Sequence, residues 1–329
     1  DSQISTVDSG LNGFLAGELT PGDLERLGYR LRDGYLQIVL ESELESAQPV
    51  SDELTRLGAR NISSVHNLVQ AEVPLDALGS VAATSGVRFV RRPVYAAIPE
   101  PTVGLQSKML TTNQTSEGVS AMKAGPWHTA GHTGSGIKVG VIDMQFGGYQ
   151  SLLGTALPPA SRVHYQSFGW TLLDATEVHG TACAEIIHDI APDAELFLAH
   201  VDTATDLVQA ITWLTSNDVD VISMSLAYYA IGPGDGTGAI HDAIRANAES
   251  KDTLWAVAAG NDRQQHWQGT ATDSDGDGWL DFNGPDWEIN YYEDGNGNRV
   301  WFEPGDTVSP VLQWNDWTRV TDDYNLYLY

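Results

Sequence analysis

The chain has 329 residues, 44 acidic against 17 basic side chains, a formal net charge of −27 and one cysteine. That charge opposes binding to a phosphate backbone and disfavours nucleic acid as a partner, and a lone cysteine allows neither an intrachain disulfide nor a thiolate zinc cluster. Hydrophobic residues make up 42% of the chain, enough for packed cores, and no apolar run approaches the ~18 residues of a membrane span.

The chain opens on Asp1 and its first methionine is Met109, so it reads as a processed product or a fragment. Residues 1–33 form an N-terminal extension. From there to residue 98 the pattern is β-α-β-β-α-β. Residues 34–41 (GYLQIVLE) alternate like a strand. Ser51 is the expected cap of a short helix. Two alternating runs follow around Asn67, a second helix lies over 75–84, and 87–97 (VRFVRRPVYAA) read as the closing strand. That order predicts a ferredoxin-like α+β unit, a fold statement without chemistry of its own. Arg88, Arg91 and Arg92 are the one dense basic spot, read as a solvated strand face. Residues 99–116 are polar with two prolines and read as a linker; Asn61 and Asn113 stand in N-x-S/T triplets.

Residues 117–262 change pattern. Apolar strand-like runs at 137–143, 162–168, 194–201, 219–226 and 253–259 alternate with helical stretches at 181–190, 205–215 and 239–249. This predicts an α/β, doubly wound parallel sheet, whose sites lie beyond the carboxyl ends of the strands. Three such positions hold residues of catalytic type: Asp143 ends IKVGVID, His179 opens EVHGTACAEIIH, and Asn261 follows AVAAG. An acid that orients a histidine, a histidine that takes a proton and an amide that donates to an oxyanion are three parts of a hydrolytic machine. Taken singly, each has a blander reading: a helix cap, a core histidine, a turn former.

At this point the chain resembles a known family. GSGIKVGVIDMQF at 134–146, HGTACAE at 179–185, DVISMSLA at 220–227 and AVAAGND at 256–262 are similar to the motifs of subtilisin-like serine proteases. The resemblance implies that Asp143 orients His179, that Ser225, Leu226 and Ala227 with Gly260 line the substrate cleft, and that Asn261 is the oxyanion donor. It also implies that residues 34–98 are an inhibitor-type propeptide, a chaperone whose last residues feed the cleft. The expected partners are therefore protein or peptide substrates and the chain's own propeptide. The expected setting is extracellular or periplasmic, in a bacterium or archaeon.

The chain departs from the pattern in three places. Met144, Gln145 and Phe146 replace the small residues usual after the acid, and Gly147 and Gly148 are left to supply the turn. Ala227 replaces a glycine. No serine after Asn261 stands in a nucleophile motif, because Ser274 lies in TDSDGDG and Ser309 precedes Pro310. The expectation is a serine endopeptidase cut short before its serine, so that residues 1–329 alone are inert; the alternative is a catalytically dead scaffold that acts as a binding protein. Cys183, one helical turn after His179, reads as a small buried residue.

Residues 263–329 alternate Trp, Tyr and Val with polar residues and predict a β-rich, sandwich-like insertion. Within it Asp273, Asp275, Asp277 and Asp281, with Gly278, match the first nine positions of a calcium loop. The twelfth position is Gly284, so a calcium site and a solvated acidic turn both remain open.

Overall fold

The computed structural model describes residues 6–43, 47–98, 115–261, 266–282, 288–291, 298–303, 310–315 and 326. Most of the expected linker, Asn113, Ser309, Gly284 and most of the last strand-like run lie outside them.

The N-terminal unit begins with two short helices. α1 (Ser9–Leu15) is capped by Asp8, and α2 (Pro21–Arg26) by a Thr20/Asp23 capping box with proline in its first turn. Then come β1 (Leu31–Arg32), β2 (Tyr35–Ser42), α3 (Gln48–Arg56), β3 (Arg60–Val65), β4 (Leu68–Pro74), α4 (Leu78–Ala82) and β5 (Val87–Arg91). β2 pairs with β4 on one edge and with β1 and β5 on the other, and β4 pairs with β3, all antiparallel. The order β3-β4-β2-β5 is that of the ferredoxin-like unit read from the pattern. Leu36, Ile38 and Leu40 of β2 and Val69, Ala71 and Val73 of β4 bury one face against Val50 and Leu54 of α3 and Leu78 and Val81 of α4. Arg88 and Arg91 pair with Glu41.

Two local expectations are corrected. Ser51 is not a cap: α3 starts at Gln48 with proline in its first turn, and the Ser51 hydroxyl donates back to Ala47 O at 3.1 Å. The closing strand does not run to Ala97. β5 stops at Arg91, and beyond Pro93, which has no N–H to give a ladder, the chain pairs with the second unit instead.

The second unit contains α5 (Glu117–Ala121), α6 (Ala124–Thr129), β6 (Lys138–Asp143), α7 (Tyr149–Leu152), β7 (Val163–Ser167), α8 (His179–Ile190), β8 (Glu195–His200), α9 (Ala204–Ser216), β9 (Val221–Met224), α10 (Ala239–Lys251) and β10 (Leu254–Val257). Its sheet is wholly parallel in the order β10-β9-β6-β8-β7. β6 is central, and strand order reverses beside it, which is where an open α/β sheet offers its crevice. Val139 and Val141 pack with Phe146, Tyr149 and Ala184 on the face of α7 and α8; Ile142 packs with Leu207, Ile211 and Leu214 of α9 on the other. The register sets Asp143, at the end of β6, beside His200, at the end of β8.

β10 differs from the other strands: Leu254 is 65% exposed and Val257 51%, although parallel strands are normally covered on both faces. Beyond β10 the described residues form no helix or strand. Residues 310–315, expected to be a strand of a β-rich insertion, are irregular. Alternation of apolar and polar residues makes a strand only where a neighbour takes up its hydrogen bonds. No described helix is long and apolar enough to cross a membrane.

Candidate active site

Asp143 is wholly buried at the end of β6. Its Oδ2 lies 2.7 Å from His179 Nδ1, and its Oδ1 accepts from Gln145 N at 3.0 Å. A carboxylate there holds the proton on Nδ1 and leaves Nε2 as the proton acceptor. The His179 side chain is 32% exposed, so the ring meets the cleft while the acid behind it does not.

The unusual MQFGG turn builds this contact. Gly180 N donates to Gln145 O at 2.7 Å, Thr181 Oγ1 to Gly147 O at 2.9 Å, and Gly147 N to Glu177 O at 2.8 Å. Phe146 is fully buried, and Gly148 takes the left-handed φ of 72° that turns the chain into α7. Gly180 is needed for a different reason. A Cβ there would lie 2.5 Å from Asp143 Cβ and 2.9 Å from Phe146 Cε1, so only glycine lets α8 start against the acid. The loop departs in its side chains from the subtilisin-like pattern that it resembles, and the buried Phe146 anchors the replacement.

The cleft strand, residues 225–227, follows β9. Ala227 exchanges two hydrogen bonds of 2.8 Å with Ala97. On the opposite edge Ala96 N donates to Asp202 O at 2.7 Å and Ala204 N to Val94 O at 2.9 Å. Residues 94–97 thus lie extended between 202–204 and 227, with Tyr95 opposite Thr203. Leu226 is buried. Gly260 and Asn261 follow β10 and are exposed; parallel strands put them at the same end of the sheet as Asp143 and Ser225.

Cys183 lies against this pair. Ligand atoms of Asp143, His179 and Cys183 all fall within 4.8 Å of one another. Burial, and then the Asp143 charge, push the thiol up to about 11 against the opposing hydrogen bond with Ser225. That is the setting of an unreactive thiol. Ser274, in the acidic loop, is held by Asp281.

A second acidic centre, missed in the sequence, stands at the end of β8. Asp202 is fully buried; its Oδ2 accepts from Thr171 N at 2.5 Å and Thr171 Oγ1 at 2.7 Å, and faces Arg30 Nη1 at 3.3 Å. Asp202 Oδ1 and His200 Nε2, 3.7 Å apart, are both buried without a hydrogen bond. His200 Nδ1 meets Ser167 Oγ at 2.8 Å, and burial lowers the affinity of the ring for a proton. Nearby, Gln70 of β4 clasps the start of α9: its Nε2 donates to Asp206 Oδ1 and its Oε1 accepts from Thr203 Oγ1, both at 2.8 Å. Asp202 follows the apolar run of β8 just as Asp143 follows β6, and that was the available signal. Arg30 and Gln70 had none, since the contacts to Thr171 and Asp206 span 141 and 136 residues.

In the acidic loop the carboxylates of Asp273, Asp275 and Asp277 are exposed and have oxygens within 4.8 Å of one another. Asp281 stands apart: its Oδ2 accepts from Ser274 N, Ser274 Oγ and Thr272 Oγ1.

Residues 134–283 match the model of the subtilase family. Subtilisin E of Bacillus subtilis (strain 168) is 32% identical over 159 residues, covering 44% of this chain and 39% of the relative. Subtilisin of Bacillus pumilus is 31% identical over 159 residues, covering 44% of this chain and 54% of the relative. The chain therefore spans about two-fifths to one-half of the length of these relatives. Among solved structures, the epidermin leader peptide processing serine protease (EpiP) of Staphylococcus aureus aligns with a TM-score of 0.42 at 12% identity, covering 72% of this chain and 65% of that one. MycP1 of Mycobacterium smegmatis aligns with a TM-score of 0.33 at 17% identity, covering 55% of each chain. Residues 134–283, which hold the paired acid and histidine and the strand at 225–227, form a domain of the subtilase family.

Proposed function

We propose that this chain is part of a secreted serine endopeptidase held shut by its own N-terminal unit. The observation that carries the reading is the combination of the 2.7 Å Asp143–His179 contact with residues 94–97 paired in the adjoining groove. His179 Nε2 takes the proton of a serine as its oxygen attacks the peptide carbonyl, and then delivers it to the leaving amine. Asp143 keeps the ring in the right tautomer and stabilises the imidazolium. Asn261 donates to the oxyanion, a contact worth about 3–4 kcal/mol in such sites. Ser225 fits the nucleophile role poorly, since it belongs to the strand that follows β9, and the attacking serine is left unassigned among residues 1–329. The pairing of Ala97 with Ala227 occupies the backbone donors and acceptors that a substrate strand needs, and residues 1–98 act as the inhibitor. Asp273, Asp275 and Asp277 hold calcium weakly, through hard oxygen ligands; a calorimetric titration that shows no heat up to millimolar calcium would remove that part.

The test is labelling of the full-length gene product with a fluorophosphonate after its N-terminal unit is removed. Labelling at one serine, abolished by His179→Ala, is expected. An intact, folded protein that takes no label would instead be a binding scaffold on the same fold.

A further inference from the structure

The groove occupied by residues 94–97 has an acid built into its wall. Asp202 meets the bound strand through its backbone, since Ala96 N donates to Asp202 O. Its carboxylate is 1% exposed, and Oδ1 is buried without a hydrogen bond. The cation that faces it, Arg30, comes from the N-terminal unit and sits over the ring of Tyr95, with its guanidinium carbon 4.1 Å from the ring centroid. Arg30 Nη1 also donates to Thr171 Oγ1 at 2.9 Å, and the neighbouring Arg32 stacks on Trp170 at 4.6 Å and donates to its carbonyl at 3.1 Å. The extension that carries these arginines is tied to the tail: Asp8 accepts from Arg92 N, and Arg92 Nη1 donates to Leu27 O.

We propose that Asp202 is a specificity-determining acid of the peptide groove, masked by Arg30, which selects substrates with a basic side chain at the position Tyr95 occupies. This rests on the groove reading given above. A buried carboxylate is costly unless it faces a cation or a full set of donors. Departure of the N-terminal unit leaves Asp202 with the Thr171 donors and with His200, a buried ring that gains a proton reluctantly. A substrate side chain at the Tyr95 position starts from the backbone facing Thr203 and runs toward the place that Arg30 fills. Arginine is preferred to lysine there, because its fork reaches Asp202 Oδ1 and Oδ2 together. The net charge of −27 draws cationic peptides to the molecule and adds to their rate of arrival.

The test uses the full-length protein with two changes. Ala97→Pro removes the N–H that donates to Ala227 and evicts the tail, which is verified by hydrogen exchange at the Ala227 amide. His179→Ala prevents hydrolysis. Fluorescent peptides spanning the 92–98 register, with Arg, Lys or Gln at the Tyr95 position, are titrated by anisotropy. The Arg peptide should bind at least tenfold more tightly than the Gln peptide, with Lys between them. The preference should shrink at high salt and vanish on Asp202→Asn, which keeps an oxygen for Thr171. Equal affinities, or a preference that survives Asp202→Asn, would overturn the proposal while leaving the groove reading intact. Binding of no peptide in the opened variant would overturn both.

Discussion

Two aspartate–histidine pairs stand at neighbouring strand ends, and their surroundings decide what each can do. Asp143 and His179 are 2.7 Å apart; Asp202 and His200 are 3.7 Å apart, one strand away. In the first pair the acid is buried, the ring is part-exposed, and one short contact joins them. In the second both side chains are 1% exposed, and the acid is shared among Thr171, Arg30 and a distant ring nitrogen. A histidine that must gain and lose a proton needs one face in the cleft and one fixed partner. His200 has no face in the cleft, and its fixed partner is the Ser167 hydroxyl rather than a carboxylate, so its pair is suited to holding charge. On the reading proposed above, the same two residue types serve as a proton relay in one place and as an electrostatic pocket in the other.

The largest expected effect falls on the first pair. Asp143→Asn in the full-length protein should lower kcat by about 10⁴-fold, because the amide no longer holds the proton on Nδ1. The fold should survive, since the change keeps the oxygen that accepts from Gln145 N. Steady-state kinetics with circular dichroism as the control checks this; a loss below tenfold would break the assignment of roles.

The next effect probes the acids crowded beside the second pair. Burial raises the Asp206 pKa from 3.8 to about 6. Between these two values the folded state holds a proton that the unfolded state has lost. Stability from this group is therefore complete below about pH 4, falls as pH rises to about 6, and is level above it. The fall amounts to on the order of 3 kcal/mol. Urea unfolding at pH 4.5 and 7 spans about 2 kcal/mol of this fall, and Asp206→Asn should flatten the difference. An unchanged slope would show that Asp206 is ionised in place.

Arg30→Ala should have a smaller effect, because Arg30 is itself 31% exposed and sits 3.3 Å from Asp202. Its loss leaves a buried acid without its cation and should weaken docking of the N-terminal unit by about 2 kcal/mol, discounted from the usual cost of breaking a buried pair. Hydrogen exchange at Ala97 and Ala227 would read this as roughly thirtyfold faster opening. No change would mean that Gln70 and the strand pairing hold the units together unaided.

The first pair was legible in the sequence and the second was not, for a physical reason. Asp143 and His179 each sit where an apolar run meets a polar residue, and His179 is followed by Gly180 and Thr181, small residues that close approach requires. Asp202 carries the same local sign, but its meaning depends on Arg30, Thr171 and Tyr95, which only the docking of two units brings together. The break at Pro93 was hidden too, since a strand that changes partners keeps its alternation. The irregular residues 310–315 show the converse, with alternation present and no strand formed.

Cys183 supplies the finest test, because it reports on the first acid alone. Its thiol is raised to about 11 by burial first and by the Asp143 charge second. At pH 8 the thiolate share is then about a thousandth, against about a tenth for a thiol at the ordinary value of 9. Alkylation by iodoacetamide should therefore run at least tenfold slower in the folded chain than in urea, even after allowing for the greater nucleophilicity of a more basic thiolate. Asp143→Asn removes the second cause and should speed labelling. Asp202→Asn should leave the rate unchanged, because Asp202 does not contribute to the shift. Equal responses to the two substitutions would mean that the acids act as one negative field, and the division between relay and pocket would fall. A response to Asp143→Asn alone would place the boundary between the two centres within the width of one strand.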